Sequence, residues 1–179
     1  VDPIQRVATR EVYRNNWMTV REDAIRRADG SEGIYGVVDK PTYALIIPMD
    51  GDRMLLVDQF RYPVGERRWE FCQGTAPDLA ETPPAELARR ELREETGLRA
   101  ETVTEIGLLE VAPGMSSQRG HVYLATDLTE GEPERELEEQ DMTTAWFTRA
   151  DVEKMISTGG ITDAQSIAAY TLLLLHERR

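Results

Sequence analysis

The chain holds a single cysteine, Cys72, so no disulfide forms within it. A cytoplasmic setting is expected on that ground, with Cys72 read as a small buried hydrophobe. No run reaches the roughly 18 apolar residues of a membrane span, and no basic-then-apolar segment of the secretory type opens the sequence. Internal repeats, low-complexity tracts and Pro/Ser-rich linkers are missing as well, and 179 residues suit one domain with a real hydrophobic core. Positive charge is scarce: 21 Lys and Arg against 33 Asp and Glu give a net charge of -12. That balance argues against passive binding to nucleic acid or to an anionic membrane. It is equally wrong for a phosphorylated ligand unless metal cations intervene, which directs attention to carboxylates suited to magnesium.

What is present reads as alternating strands and helices. Residues 12–25 hold one or two short strands, and residues 27–31 a turn at Asp29-Gly30. Residues 33–38, 43–48 and 53–60 read as strands, the last two joined by the hairpin signal Asp50-Gly51-Asp52. Residues 61–66 form a loop, 69–72 a short strand and 74–82 another loop. A helix over residues 83–96 follows, with Thr82 as its N-cap, Pro83 at its first position, Gly97 as its stop, and Leu87 and Leu92 facing the core. Strands over 102–111 and 121–126 flank the loop at 112–118. Residues 131–140 read as a charged, mobile loop, 143–147 as a strand, and 151–158 and 163–177 as helices. The last of these is strongly apolar and is expected to pack on a sheet. The expected fold class is α+β: a sandwich with a mixed central sheet and helices on its faces.

Chemistry concentrates in Arg89-Arg90-Glu91-Leu92-Arg93-Glu94-Glu95-Thr96-Gly97-Leu98. Glu91, Glu94 and Glu95 stand at i, i+3 and i+4, on one helix face. Like charges so placed repel, and a divalent cation relieves this; magnesium takes carboxylate oxygens and completes its shell with water and substrate phosphates. On spacing alone, a solvated Glu/Arg face is the bland alternative. The stretch from Arg90 to Leu98, however, resembles the second half of the Nudix box without an exception. The first half departs from that pattern, because strict spacing puts Ala76 and Thr82 where the box has Gly and Glu. Gly74 and Glu81 lie close by, and Gly74 is taken as the equivalent glycine because it follows a strand. Three further stretches resemble the ADP-ribose pyrophosphatase branch: residues 58–63 with Trp69-Glu70-Phe71, residues 113–117 followed by 121–128, and Gly160-Ile161-Thr162-Asp163 before the apolar helix.

The resemblance implies a Nudix α/β/α sandwich with an N-terminal antiparallel sheet. It implies Mg2+ (Mn2+ as an alternative) on Glu91, Glu94, Glu95 and the backbone carbonyl of Gln73, with Arg90 positioning a glutamate. It also implies Arg61, Gly114 and Met115 on the substrate, the arginine through its planar fork on phosphate. A general base is expected in the acidic run before Trp146, from Glu138, Glu139 or Asp141, with Glu139 preferred. Gln118 stands where the branch often has a glutamate. A catalytic histidine is not expected from His121 or His176, while Trp17 or Tyr35 is a candidate for stacking on a nucleobase. The implied reaction is hydrolysis of a diphosphate bond in a nucleoside diphosphate linked to another group, foremost ADP-ribose to AMP and ribose 5-phosphate. GDP-mannose, other nucleotide sugars, dinucleoside polyphosphates and a non-catalytic nucleotide sensor remain the alternatives. The partner is a small nucleotide, with neither nucleic acid nor membrane. A homodimer is expected through about residues 1–40, with the catalytic core at about 41–179.

Overall fold

The computed structural model describes residues 2–76, 82–135 and 140–179. Its N-terminal part is a three-stranded antiparallel sheet of β1 (Ile4–Arg14), β2 (Thr19–Arg27) and β3 (Glu32–Asp39). The sequence suggested a strand only from residue 12. Residues 4–11 carry no apolar alternation strong enough to announce one, and all eleven residues of β1 are exposed in the single chain.

The larger sheet is organised by a hairpin that opens. β4 (Tyr43–Asp50) and β5 (Arg53–Arg61) pair antiparallel at Met49–Met54 and Asp50–Arg53 beside their turn. Gly51 takes φ 62° there, a left-handed conformation that costs glycine little. The strands then part. β4 pairs with β7 (Cys72–Thr75) on one side and runs parallel to β9 (Arg119–Thr129) on the other. β5 takes β6 (Glu66–Glu70) and β10 (Thr143–Thr148), and β8 (Arg99–Glu110) closes the far edge against β9. The mixed central sheet expected from the sequence is therefore present. The expected short strand over residues 69–72 is divided between β6 and β7. Its break falls at Phe71, whose backbone N–H leaves the ladder and donates to Ser166 Oγ at 2.9 Å.

Side chains of β4 alternate between two cores, as the pleat requires. Tyr43, Leu45 and Ile47 join Phe71, Val152, Ala169 and Leu173 on the face covered by α2 (Arg149–Thr158) and α3 (Ala164–His176). Ala44 and Ile46 join Leu87, Leu92 and Tyr123 under α1 (Pro84–Thr96). Leu87 and Leu92 face the core as expected, and the apolar last helix lies on the sheet. The start of α1 differs from the expectation. Its N-cap is Pro83 with no side-chain hydrogen bond, and Pro84 rather than Pro83 occupies the first turn. Gly97 ends the helix in the left-handed region at φ 78°, its N–H on the Arg93 carbonyl. No helix among the described residues is long and apolar enough to cross a membrane.

Candidate active site

Three elements meet around a cavity of about 650 Å³, a size typical of small-ligand sites. The end of β5 supplies Arg61, the β6–β7 segment supplies Glu70, Gln73, Gly74 and Thr75, and the start of α3 supplies Asp163. Gly74 and Thr75 belong to β7 and not to a loop, so the glycine is held by pairing with β4 across from Ala44.

The glutamates of α1 approach this wall from behind. Glu91 is 6% exposed and Glu95 is 1% exposed, which is unusual burial for carboxylates. The Glu91 carboxylate lies so close to Gly74 that a Cβ there would fall 2.2 Å from its Oε2. Glu95 lies beside the buried Cys72 thiol. Burial pushes that thiol well above its usual range, with the charges of Glu95 and Glu91 adding to the effect. Cys72 is thus buried as expected, and its surroundings record how near both carboxylates lie. Glu94 is turned toward arginines, 3.5 Å from Arg90 Nε and 3.7 Å from Arg93. Arg90 reaches Glu91 at 3.4 Å and the Thr75 carbonyl at 3.4 Å, so one guanidinium spans two of the acids and β7. Among the described residues, no three acid, histidine or cysteine side chains converge as a metal cage. Two deeply buried carboxylates beside a backbone approach, with a third on the same helix, still fit a hard cation. Such a cation takes oxygen donors and keeps several waters.

Arg61 and Glu70 form a two-toothed ion pair, Nε to Oε1 at 2.8 Å and a terminal nitrogen to Oε2 at 2.7 Å. Burial raises the Glu70 carboxyl, while Arg61 and the Gln73 side chain oppose that rise. Burial pulls the Arg61 guanidinium the other way, yet Glu70 foremost, then Asp163 and Glu95, hold it above its usual value. Asp163 caps α3 by accepting from the Ser166 N–H at 2.8 Å, and the Gln73 amide donates to the same oxygen at 3.3 Å. Glu70 and Asp163 lie in stretches that resemble the branch, but neither was given a site role from the sequence. The available signals were a charge between Trp69 and Phe71 and an Asp directly before an apolar helix.

The Pro-Gly loop docks on the N-terminal sheet. Tyr35 donates its hydroxyl to the Gly114 carbonyl at 2.9 Å, and the Val38 N–H donates to the Met115 carbonyl at 2.8 Å. Gln118 is the member of this loop that lines the cavity, and its amide donates to the Pro41 carbonyl at 3.2 Å. Trp17 is exposed. His121 faces Glu105 at 2.8 Å, and His176 sits in the last turn of α3. Glu81, Glu138 and Glu139 lie outside the described residues, whereas Asp141 is paired with Arg67 at 2.7 Å on the surface. Residues 131–135 of the stretch expected to be mobile are tied to α1. The Glu134 N–H donates to the Glu94 carbonyl at 3.0 Å, and Arg135 Nε donates to the Glu95 carbonyl at 3.0 Å.

The chain is similar to known proteins in sequence and in fold. Residues 4–38 match the model of a nucleoside diphosphate sugar hydrolase N-terminal domain, and residues 39–170 match the NUDIX domain. The chain is 35% identical to an ADP-ribose pyrophosphatase of Mycobacterium tuberculosis over 164 residues, covering 90% of this chain and 79% of that protein. It is 27% identical to an ADP-ribose pyrophosphatase of Bacillus subtilis over 173 residues, covering 96% and 92%. A crystal structure of an ADP compounds hydrolase superposes with a TM-score of 0.84 at 22% identity, covering 99% of this chain and 94% of the other, and this likeness speaks for the fold. With a domain match over most of its length and the Arg90–Leu98 motif on α1 behind the cavity, the chain belongs to the NUDIX family, as a hydrolase of nucleoside diphosphates linked to another group.

Proposed function

We propose that the chain hydrolyses ADP-ribose to AMP and ribose 5-phosphate, with Mg2+ as cofactor and Mn2+ as a substitute. The observation that carries this reading is the pair of buried carboxylates, Glu91 and Glu95, behind a cavity that also presents Lys40, Arg61 and Arg68. Two relatives bear the name ADP-ribose pyrophosphatase, which favours that substrate within the nucleoside diphosphate class. In this reading Glu91, Glu94, Glu95 and the Gln73 carbonyl hold the metal, and Arg90 orients the acids. Magnesium bound there would offset phosphate charge and lower the pKa of a water for attack on phosphorus. Arg61 binds the diphosphate. Its pairing with Glu70 uses one edge of a group that carries five donors and fixes the plane of the rest. Gly114 and Met115 meet the nucleotide from the loop docked on β3. Glu139, or its neighbour Glu138, takes the proton from the attacking water.

The reading extends to a homodimer joined through about residues 1–40, with residues 41–179 as the catalytic core of a single Nudix unit. The full exposure of β1 in one chain supports it. A different nucleoside diphosphate sugar is the second reading, favoured by the match of residues 4–38. The deciding experiment incubates the protein with ADP-ribose, GDP-mannose, other nucleotide sugars and dinucleoside polyphosphates. Each is tested with and without magnesium, beside Glu95→Gln, and the products are identified. Magnesium-dependent release of AMP and ribose 5-phosphate, lost in the variant, is the expected result. Faster turnover of another compound moves the substrate and keeps the site. Nucleotide binding with no turnover of any compound overturns the reading in favour of a sensor.

A further inference from the structure

One polar group on the cavity wall is not used by the reading above. Tyr43 lines the cavity at the start of β4 and is only 4% exposed. Its ring lies over Gly120, its partner in the parallel register with β9. A Cβ on Gly120 would fall 1.9 Å from the ring Cζ and 2.3 Å from the hydroxyl oxygen, so the slot exists because that residue is glycine. The hydroxyl is buried and has no hydrogen-bond partner among the described residues. Buried polar atoms are nearly always satisfied, and an apolar wall would need only phenylalanine here. Burial, helped by the charge of Asp163, pushes the phenol up to about 12, so it stays protonated and donates at ordinary pH.

The surroundings indicate what it donates to. No Trp, Phe or His lines the cavity among the described residues, and the one ring present packs against Gly120. A nucleobase gains little in such a place, because it binds best through a stacking face. Lys40, Gln73, Gln118, Thr162, Asp163 and Gln165 give instead a wall of mixed donors and acceptors. That mixture suits a group carrying several hydroxyls, each both donor and acceptor.

We propose that, when substrate displaces the side chains covering it, the Tyr43 hydroxyl donates to a hydroxyl oxygen of the sugar beyond the diphosphate, and so selects substrates that end in a sugar. This rests on the reading that the chain cleaves a nucleoside diphosphate sugar. The test is Tyr43→Phe, which keeps the ring in its slot and removes only the oxygen. Steady-state kinetics compare wild type and variant on the preferred nucleotide sugar, on analogues lacking one sugar hydroxyl each, and on the nucleoside diphosphate without its sugar. The expected result is a loss of about tenfold in kcat/KM on the intact sugar, the size of one hydrogen bond, carried mainly by KM. One deoxy analogue is expected to be turned over equally by both proteins, with the thermal midpoint of the variant no lower than that of wild type. Equal kcat/KM on the intact sugar overturns the proposal, as does a uniform loss across all analogues, the mark of a merely structural role. A wild type that cleaves only compounds without a terminal sugar overturns it too. If wild type cleaves nothing, the proposed function itself has failed and this inference falls with it; active wild type with an unaffected variant sinks this inference alone.

Discussion

Arg135 donates from Nε to the backbone carbonyl of Glu95 at 3.0 Å, and its guanidinium also reaches the carbonyl of Met142. The Gln140 side chain in turn donates to the Arg135 carbonyl at 3.0 Å. The last carbonyls of a helix have no partners within it. In α1 those of Glu94 and Glu95 are taken by Glu134 and Arg135. The two ends of the acidic stretch at 135–140 are therefore pinned to each other and to the helix that carries Glu91, Glu94 and Glu95.

Replacing Arg135 by methionine keeps the aliphatic stem and removes the donors. The expected outcome is a loss of about 1–3 kcal/mol in stability, the cost of stranding carbonyls that a charged donor satisfied. The proposed base, Glu139, follows Arg135 by four residues, so kcat is also expected to fall while KM changes little. Urea unfolding and steady-state kinetics check the two parts separately. Lost stability with unchanged kcat would detach the anchoring from the chemistry.

What could be read from the sequence is what lies contiguous on one element. Arg90 to Leu98 spell out their pattern along a single helix, and Leu87 and Leu92, apolar among charged neighbours, mark its inner side. The unbroken apolar run from Tyr43 to Pro48 fits a strand buried on both faces, as β4 is. The rest arises from residues distant in sequence. Glu70 becomes a site residue because Arg61 and Gln73 close on it in a buried position, which no local pattern encodes. The stretch at 131–140 reads as mobile by its charge, yet Arg135 within it finds a partner, Glu95, forty residues upstream. Residues 4–11 of β1 escaped notice because Ile4 and Val7 fall three apart among polar neighbours, off the two-residue period of a strand.

Gly74→Ala tests whether the glycine serves the acids behind it. The added Cβ would sit 2.2 Å from Glu91 Oε2 and 2.4 Å from its Cδ, so that carboxylate has to move. The fold is expected to survive with a cost of about 1–3 kcal/mol, as for other overpacked sites. Activity is expected to fall about 100-fold, because displacements near 1 Å at a reacting centre cost that much. Magnesium titration of the residual rate gives the sharper check: the half-saturating concentration should rise. An unchanged magnesium requirement would argue that Glu91 does not hold the metal.

The N-terminal sheet leads to a prediction about assembly. β1 exposes Ile4, Val7, Val12 and Tyr13 at 43–55%, with Trp17 at 62% and Ile34 at 69%. An uncovered strand with such side chains is a template for pairing with another chain. Light scattering at micromolar concentration should give twice the chain mass of 20.3 kDa. Placing an aspartate at Val12 should shift the protein toward monomer. A wild-type mass equal to one chain would refute the dimer while leaving the cavity untouched.

The alkaline limit of stability should bear the mark of Tyr170. Its hydroxyl donates to Glu153 Oε1 at 2.7 Å, joining α3 to α2. Burial, and then that hydrogen bond to Glu153, raise the phenol from 10.0 to about 12. A raised value means that the folded chain keeps a proton the unfolded chain has already released. The contribution is therefore complete below pH 10 and is lost as pH climbs through 12. Tyr43 and Tyr123 are raised to about 12 as well, so wild type should lose stability steeply over this window. Tyr170→Phe removes one of the three groups. Its deficit against wild type, measured by urea unfolding from pH 8 to 12, should be largest at pH 8 and shrink above pH 10. A deficit that stays constant across the range would show that the proton on Tyr170 is not linked to folding.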